Sequence, residues 1–119
     1  MAWTVKALPS VESDLDRIFD HVFHSQLTFG YGPDEAAALA AKRIRDIAAA
    51  KGRLANAPFV GTRHFVGDVE FRHVTFDRIV FWFSLDSTTE TVTIEAIFHG
   101  GQDHLGHMLA RLTRETGAD

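Results

Sequence analysis

Two residues in the last third of the chain, Arg78 and His99, have side chains that could cleave RNA. Attack by the 2′-hydroxyl of RNA needs a base near that hydroxyl and cations that stabilise the crowded phosphate. His99 could be the base, because histidine titrates near neutral pH, and Arg78 could supply the positive charge. A structural alternative is a cross-strand pair that orders the edge of a sheet. Reserve candidates for the chemistry are Arg63, Arg72 and His73.

A wider set of side chains in this region could bind a target or a partner protein. Trp82 could stack on a base or receive a side chain of a partner, unless a C-terminal helix covers it. If Asp103 holds His99, that pair could be structural or could tune a base. The candidate binding residues are Arg63, Arg72, His73, Trp82, Gln102, Asp103 and His104.

Histidines near the C-terminus also have a spacing that could gather a metal ion. Residues three apart lie on one face of a helix, and the possible ligands are His99, Asp103, His104 and His107. The pair His21 and His24 shows that this spacing arises readily without a site, so we expect no metal and no cofactor. A P-loop, a Gly-rich phosphate loop and a Ser/His/Asp motif are also missing from the sequence.

Two β-strands must position Arg78, Trp82 and His99. The run 79–83 is rich in β-branched and aromatic residues, which favours a central strand, while 91–99 alternates strictly between apolar and polar residues. A turn between them predicts a hairpin with one dry face and one open, mixed face. The expected register places Trp82 on the open face, and it pairs Phe83 with Ile94, Phe81 with Ala96, and Arg78 with His99.

The hairpin before these strands allows two registers. A tight turn at Phe76-Asp77 places His73 on the open face, whereas a bulge would place Arg72 there instead. The sequence does not decide between them.

Helical patterns occupy most of the rest of the chain. A short strand from Trp3 to Leu8 precedes a helix that is capped by Ser10 and has an apolar stripe from Val11 to Phe23. Gly30 to Pro33 should reverse the chain into a second, Ala-rich helix from about Asp34 to Leu54. Helical spacing of apolar residues between Asp103 and Arg114 predicts a short final helix. The expected order is therefore strand, two helices, three strands and a short helix.

The composition fits one compact globular domain spanning residues 1–119. Hydrophobic residues make up 45% of the chain and cysteine is absent, which fits a reducing compartment. The first residues have neither the basic n-region nor the apolar h-region of a signal peptide. The longest apolar runs fall far short of the ~20 residues that span a bilayer. We therefore expect a soluble, cytoplasmic protein.

The net charge of −4 is unevenly distributed along the chain. The segments 1–41 and 79–119 each have a net charge of −4, whereas 42–78 has +4. An acidic chain with a basic middle is a poor candidate for general nucleic-acid coating. It could still present one local patch that faces an anion, although a solvated helix face is the plainer interpretation.

The element order and three segments resemble the RelE/ParE superfamily of bacterial toxins, closer to its ParE-like branch. The segments are 15–23, then 72–83, and then Ile97-Phe98-His99-Gly100-Gly101-Gln102-Asp103, which is the most specific of the three. The resemblance covers nearly the whole chain. It implies an α+β fold with an N-terminal strand, a helical hairpin packed on a twisted antiparallel sheet of three to four strands, and a short C-terminal helix.

This resemblance also implies a function and a partner. It implies the toxin component of a type II toxin-antitoxin system, neutralised by a cognate antitoxin, in a heterotetramer or a larger complex. RelE-like members cut messenger RNA at the ribosome, whereas characterised ParE-like members poison DNA gyrase. The RNA-cutting members typically carry several basic residues on the open sheet and often a Tyr near the C-terminus, but the only Tyr here is Tyr31. The leading hypothesis is therefore gyrase inhibition by binding, without chemistry. A ribosome-dependent ribonuclease and a non-toxic antitoxin-binding module are the alternatives.

Overall fold

A computed structural model of the protein describes residues 2–100 and 103–115. Its elements are β1 (Thr4–Ala7), α1 (Ser10–Thr28), α2 (Pro33–Asn56), β2 (Thr62–Val66), β3 (Val69–Phe76), β4 (Ile79–Asp86), β5 (Thr91–His99) and α3 (His104–Glu115). The strands form one sheet in the order β1-β5-β4-β3-β2. The α+β class is confirmed. The sheet has five strands because the segment after α2 forms β2, and it is mixed because β1 runs parallel to β5.

Helices α1 and α2 form a hairpin that packs on one side of the sheet, which we call the helix face. Val11 and Ile18 of α1 are buried there with Ile47 and Leu54 of α2. Gly32 has extended dihedral angles and precedes the first residue of α2. Pro33 occupies the first turn, where a backbone N–H would have no partner within the helix, so proline loses no hydrogen bond there. Ser10 was the expected cap of α1, but Pro9 has helical dihedral angles and takes that position.

Helix α3 packs on the opposite side of the sheet, which we call the outer face. Met108 and Leu112 are buried there in a second core that the strands complete with Phe71, Val80, Trp82, Ala96 and Phe98. The predicted open, mixed face is thus wrong over the centre of the sheet, because the apolar stripe of α3 covers it. No helix in the described part of the chain is long and apolar enough to cross a membrane.

A β-bulge in the β4–β5 hairpin changes the expected register. Phe83 pairs with Ile94 as predicted, but the next pair is Trp82 with Ala96, so Glu95 is an extra residue in β5. Every later pair is displaced by one residue, and His99 lies opposite Ile79. The predicted pairs of Phe81 with Ala96 and Arg78 with His99 are therefore wrong. The displacement turns His99 toward the helix face.

The β3–β4 hairpin has a tight turn one residue later than expected. Asp77 and Arg78 have φ angles of 49° and 68°, and Phe76 pairs with Ile79 across them. Two central residues with positive φ match the right-handed twist of the strands. This register pairs His73 with Trp82 on the outer face and places Arg72 on the helix face. The register therefore differs from that of the predicted turn at Phe76-Asp77, but the structure places His73, and not Arg72, on the face away from the helices, which is one of the two placements that the sequence allowed.

Candidate functional site

A cleft of about 280 Å³ lies between α1 and the C-terminal half of β5. Strand β1 pairs only with residues 91–94, so α1, which follows it, lies beside the rest of β5. The apolar wall of the cleft consists of Ile18, Ile97 and Phe98, and its polar residues are Asp14, Arg17, His21 and His99. Apolar walls with a few convergent polar groups are typical of binding sites.

The buried carboxylate of Asp14 holds the β-bulge that shapes this cleft. Its Oδ2 accepts the backbone N–H of Ile97 at 3.0 Å, and Arg111 of α3 donates to its two oxygens at 2.7 and 3.1 Å. Arg111 also donates to the carbonyl of Glu95 at 3.2 Å. A bulge removes backbone groups from the strand ladder, and here side chains from α1 and α3 supply their partners. Asp14 is 2% exposed, so its carboxylate is largely removed from water.

His99 faces His21 at the mouth of the cleft. The two ring centroids are 4.5 Å apart. Burial lowers the pKa of His99, and the nearby charges of His21, Arg43 and Arg78 lower it further. Because histidine ordinarily titrates near 6.5, His99 is neutral at neutral pH and its ring can accept a proton.

Arg78 lies beside the end of β5, although it does not pair with His99. Its carbonyl accepts the backbone N–H of Gly100 at 2.6 Å, which joins the β3–β4 turn to the segment after His99. Its guanidinium contributes to the positive potential at the imidazole of His99. The structure therefore brings both candidate catalytic residues to one end of the sheet, but as neighbours rather than as a cross-strand pair.

A second group of polar side chains, the imidazole cluster of His64, His73 and His104, covers Trp82 on the outer face. His64 Nε2 and His73 Nδ1 share a hydrogen bond of 2.7 Å, and Trp82 Nε1 donates to His104 Nδ1 at 3.1 Å. The rings of His64 and His73 lie 4.7 and 4.9 Å from that of Trp82. Trp82 is 1% exposed, so of the two alternatives that the sequence left open the structure has the covered tryptophan and not the exposed stacking platform. The cluster and α3 cover it.

Comparison with known proteins identifies the fold. No protein-family model matches the sequence, and no curated protein matches it. A chain of the toxin-antitoxin complex RelBE2 from Mycobacterium tuberculosis is 18% identical with a TM-score of 0.53, over 83% of this chain and 99% of that one. A chain of the chromosomal ParDE TA system from P. aeruginosa is 19% identical with a TM-score of 0.52, over 82% and 96%. The chain has the RelE/ParE fold.

Within this RelE/ParE fold, the other predicted binding residues have structural contacts. Arg63 is 3.5 Å from Glu70 in an exposed ion pair, and Arg72 donates to the carbonyl of Phe59 at 2.8 Å. Asp103 Oδ1 accepts the N–H of Gly106 at 3.1 Å, which caps the start of α3. Arg72 thus fixes the segment before β2 through its bond to Phe59. Asp103 precedes α3 and caps its first turn. Gln102 lies outside the described residues.

The histidines of this RelE/ParE fold are divided between its two sides. His99 faces α1, whereas His104 contacts Trp82 on the outer face, so the possible metal ligands do not converge. Among residues 2–100 and 103–115, no group of three or more His, Cys, Asp or Glu side chains could hold a metal ion.

Sequence reasoning missed five residues of these sites, namely Asp14, Arg17, His21, His64 and Arg111. A signal was available, because Asp14 lies three residues after Val11 and four before Ile18, within the apolar stripe of α1. A carboxylate in such a stripe needs a buried partner. No comparable signal indicated that this partner would be Arg111, which is 97 residues away along the chain.

Proposed function

We propose that this protein is the toxin component of a bacterial type II toxin-antitoxin system and that a cognate antitoxin neutralises it. The observation that carries this proposal is the extent of the structural likeness. The two structures described above are toxin-antitoxin assemblies, and this chain covers 99% and 96% of the chains that it matches in them. The likeness therefore extends over the whole of each matched domain rather than over one shared motif.

Expression in bacteria tests the toxin proposal. Induction of the chain alone should arrest growth, and co-expression of a small protein encoded beside it should restore growth. Purification of the two together should give a stable complex, which we expect to be a heterotetramer or larger. A chain that binds this neighbour but never slows growth would instead be a non-toxic antitoxin-binding module.

The target that we propose is DNA gyrase, inhibited by binding. Two features support a binding mode of action. The apolar side of α3 covers the centre of the outer face, with Met108 and Leu112 at 0% and 3% exposure, so the central strands are not open to RNA on that side. The net charge of −4 also disfavours general affinity for nucleic acid.

An assay with gyrase and supercoiled DNA tests this target. Addition of the purified protein should trap cleaved DNA or reduce supercoiling, and the antitoxin should reverse the effect. A chain that arrests growth but leaves gyrase fully active would refute the gyrase proposal while preserving the toxin proposal.

A ribosome-dependent ribonuclease is the second candidate, and the cleft supports it. The neutral imidazole of His99 could take the proton from a 2′-hydroxyl, while Arg17 and Arg78 provide cationic charge near it. The 2′-oxygen would then bond to the adjacent phosphorus as the bond to the 5′-oxygen breaks, and the leaving 5′-oxygen would take a proton from water. Messenger RNA should then be cleaved in translating extracts. His99→Gln and Arg78→Ala should each reduce cleavage by at least about tenfold. His24→Gln, an exposed change on the same helix as His21, should leave it unchanged. Intact messages during growth arrest would exclude this candidate.

A further inference from the structure

The hydrogen bonds of the imidazole cluster exist only when certain ring nitrogens lack a proton. Trp82 Nε1 can only donate, so His104 Nδ1, 3.1 Å away, must be an unprotonated acceptor. The 2.7 Å bond between His64 and His73 likewise needs one donor and one acceptor. A proton added to His104 Nδ1 turns its contact with Trp82 Nε1 into a clash of two donors. The bond between His64 and His73 becomes such a clash when both imidazoles are protonated, because each ring nitrogen then carries a proton.

The groups around the cluster offer little compensation for added positive charge. Strands β2 and β3 contribute His64 and His73 themselves, and β4 contributes the uncharged Trp82 and Ser84. The carboxylate of Glu95 on β5 accepts a hydrogen bond from Ser84, and Asp103 caps α3. Helix α3 adds His104, His107, which stacks on Phe98, and the cationic Arg111. Protons added here therefore meet other imidazoles and the Arg111 guanidinium, while each of the two nearby carboxylates, Glu95 and Asp103, already accepts a hydrogen bond.

We propose that the imidazole cluster is a pH-sensitive latch. At neutral pH it fastens the first turn of α3 to Trp82, and in mildly acidic solution it releases that turn and exposes the indole. This inference goes beyond the proposed function and does not depend on which target the protein has.

The direction of the pH effect follows from His73. Burial lowers its pKa from the ordinary value of 6.5, and the neighbouring His104 and His64 lower it further. A released or unfolded cluster then binds more protons than the closed one at mildly acidic pH. The stabilisation of the closed cluster by neutral His73 is therefore complete above pH 6.5. It is lost as the pH falls through the lower pKa that His73 has in the closed state.

The rest of α3 has attachments that this titration does not reach directly. Met108 and Leu112 are buried against the strands, and Arg111 is bonded to Asp14. Release should therefore begin at His104 and leave the second half of the helix in place. The exposed surface would centre on Trp82 and the adjoining part of the outer face.

Fluorescence of Trp82 tests the latch directly. The chain has two tryptophans, so Trp3→Phe leaves Trp82 as the only reporter. Between about pH 7.5 and about pH 5, its emission should shift to the red and its quenching by acrylamide should rise several-fold, with a midpoint below the ordinary value for histidine. Helical circular dichroism should change little. An indole that stays shielded throughout this range would overturn the proposal.

Substitutions in the same Trp3→Phe background assign the transition to the cluster. His104→Gln keeps an amide oxygen that can accept the Trp82 bond at every pH, so the transition should become much smaller. His24→Gln on α1 is the matched control and should preserve it. An unchanged midpoint in His104→Gln would overturn the assignment to His104.

Amide hydrogen exchange tests the latch in the unmodified chain, so the result does not depend on whether a variant folds. After correction for intrinsic rates, amides in the first turn of α3 should exchange roughly tenfold faster at about pH 5 than at about pH 7.5, while those of β4 should not. Equal protection of that turn at both pH values would contradict the latch.

Discussion

At the scale of single residues, Asp14 connects three elements through one carboxylate. It bonds the backbone of β5 and the guanidinium of Arg111, and its side chain is fully buried. Removal of one member of a buried ion pair leaves the other desolvated without its partner. Asp14→Ala should therefore lower the free energy of unfolding by about 3–5 kcal/mol in urea titrations.

The neighbouring Asp16 is the control for this prediction. It is exposed on the same helix, so Asp16→Ala should change the stability by less than about 0.5 kcal/mol. Similar small effects for both substitutions would show that the Asp14 network contributes little.

An Arg111→Met variant should also lower the free energy of unfolding, because it leaves the buried carboxylate of Asp14 without its cationic partner.

Arg78 has a backbone conformation that suits glycine better than arginine. Its φ of 68° lies in the left-handed region, where a Cβ atom costs roughly 1 kcal/mol. Arg78→Gly should therefore raise the free energy of unfolding by about that amount, even though it removes a candidate site residue. Arg78→Ala keeps the Cβ atom and should not stabilise the fold. Equal unfolding midpoints for the two variants would contradict this account of the turn.

At the scale of elements, the β3–β4 turn and the end of β5 approach closely at Gly100. A Cβ atom placed there would lie 2.7 Å from the carbonyl oxygen of Arg78. Gly100→Ala should therefore cost roughly 1–3 kcal/mol of stability, because the backbone would have to move. Gly52→Ala is the opposite case, since a Cβ atom inside α2 meets open space. It should stabilise the fold by about 0.5–1 kcal/mol in the same thermal or urea unfolding experiment.

Helix α3 is attached by one side only. Leu112 is 3% exposed against the outer face, whereas Leu109 is 46% exposed on the other side of the helix. Leu112→Ala should cost about 2–4 kcal/mol through lost burial and the cavity that it leaves. Leu109→Ala should cost less than about 0.5 kcal/mol. A larger loss for Leu109 in urea unfolding would mean that α3 packs with the opposite face.

At the scale of the whole molecule, two cores share one sheet. Ile79, Phe81 and Phe83 of β4 face the helices, and the intervening Val80 and Trp82 face α3. Because β4 contributes side chains to both cores, loss of either core would expose one face of β4 and weaken the other core. We therefore expect one cooperative unfolding transition at neutral pH, as for a single domain.

Two probes check this cooperativity in the Trp3→Phe variant. Trp82 fluorescence reports the outer core, and far-UV circular dichroism reports mainly α1 and α2. Their urea midpoints should coincide at about pH 7.5, where the latch is closed. Separate midpoints at that pH would show that α3 and the helical hairpin unfold as independent units.

Much of the fold could be predicted from local patterns. Apolar spacing specified the helical hairpin and the final helix, because side chains repeat every 3.6 residues in helices. A run of β-branched and aromatic residues specified β4, and alternation specified β5, because side chains repeat every two residues in strands. The pairing of Phe83 with Ile94 was also within reach, since it lies close to the turn that sets it. The α+β class of the RelE/ParE fold therefore follows from the order of the elements.

Only the tertiary structure decided what the residues at the end of β5 contact. The bulge at Glu95 moved His99 from the face expected for it to the cleft beside His21, and it depends on Asp14 and Arg111, which are distant in sequence. Trp82 became a core residue because α3 folds back over it and the imidazole cluster covers its ring. A register change of one residue and the covering of a face both depend on long-range contacts, whereas local periodicity reports only which residues share a face.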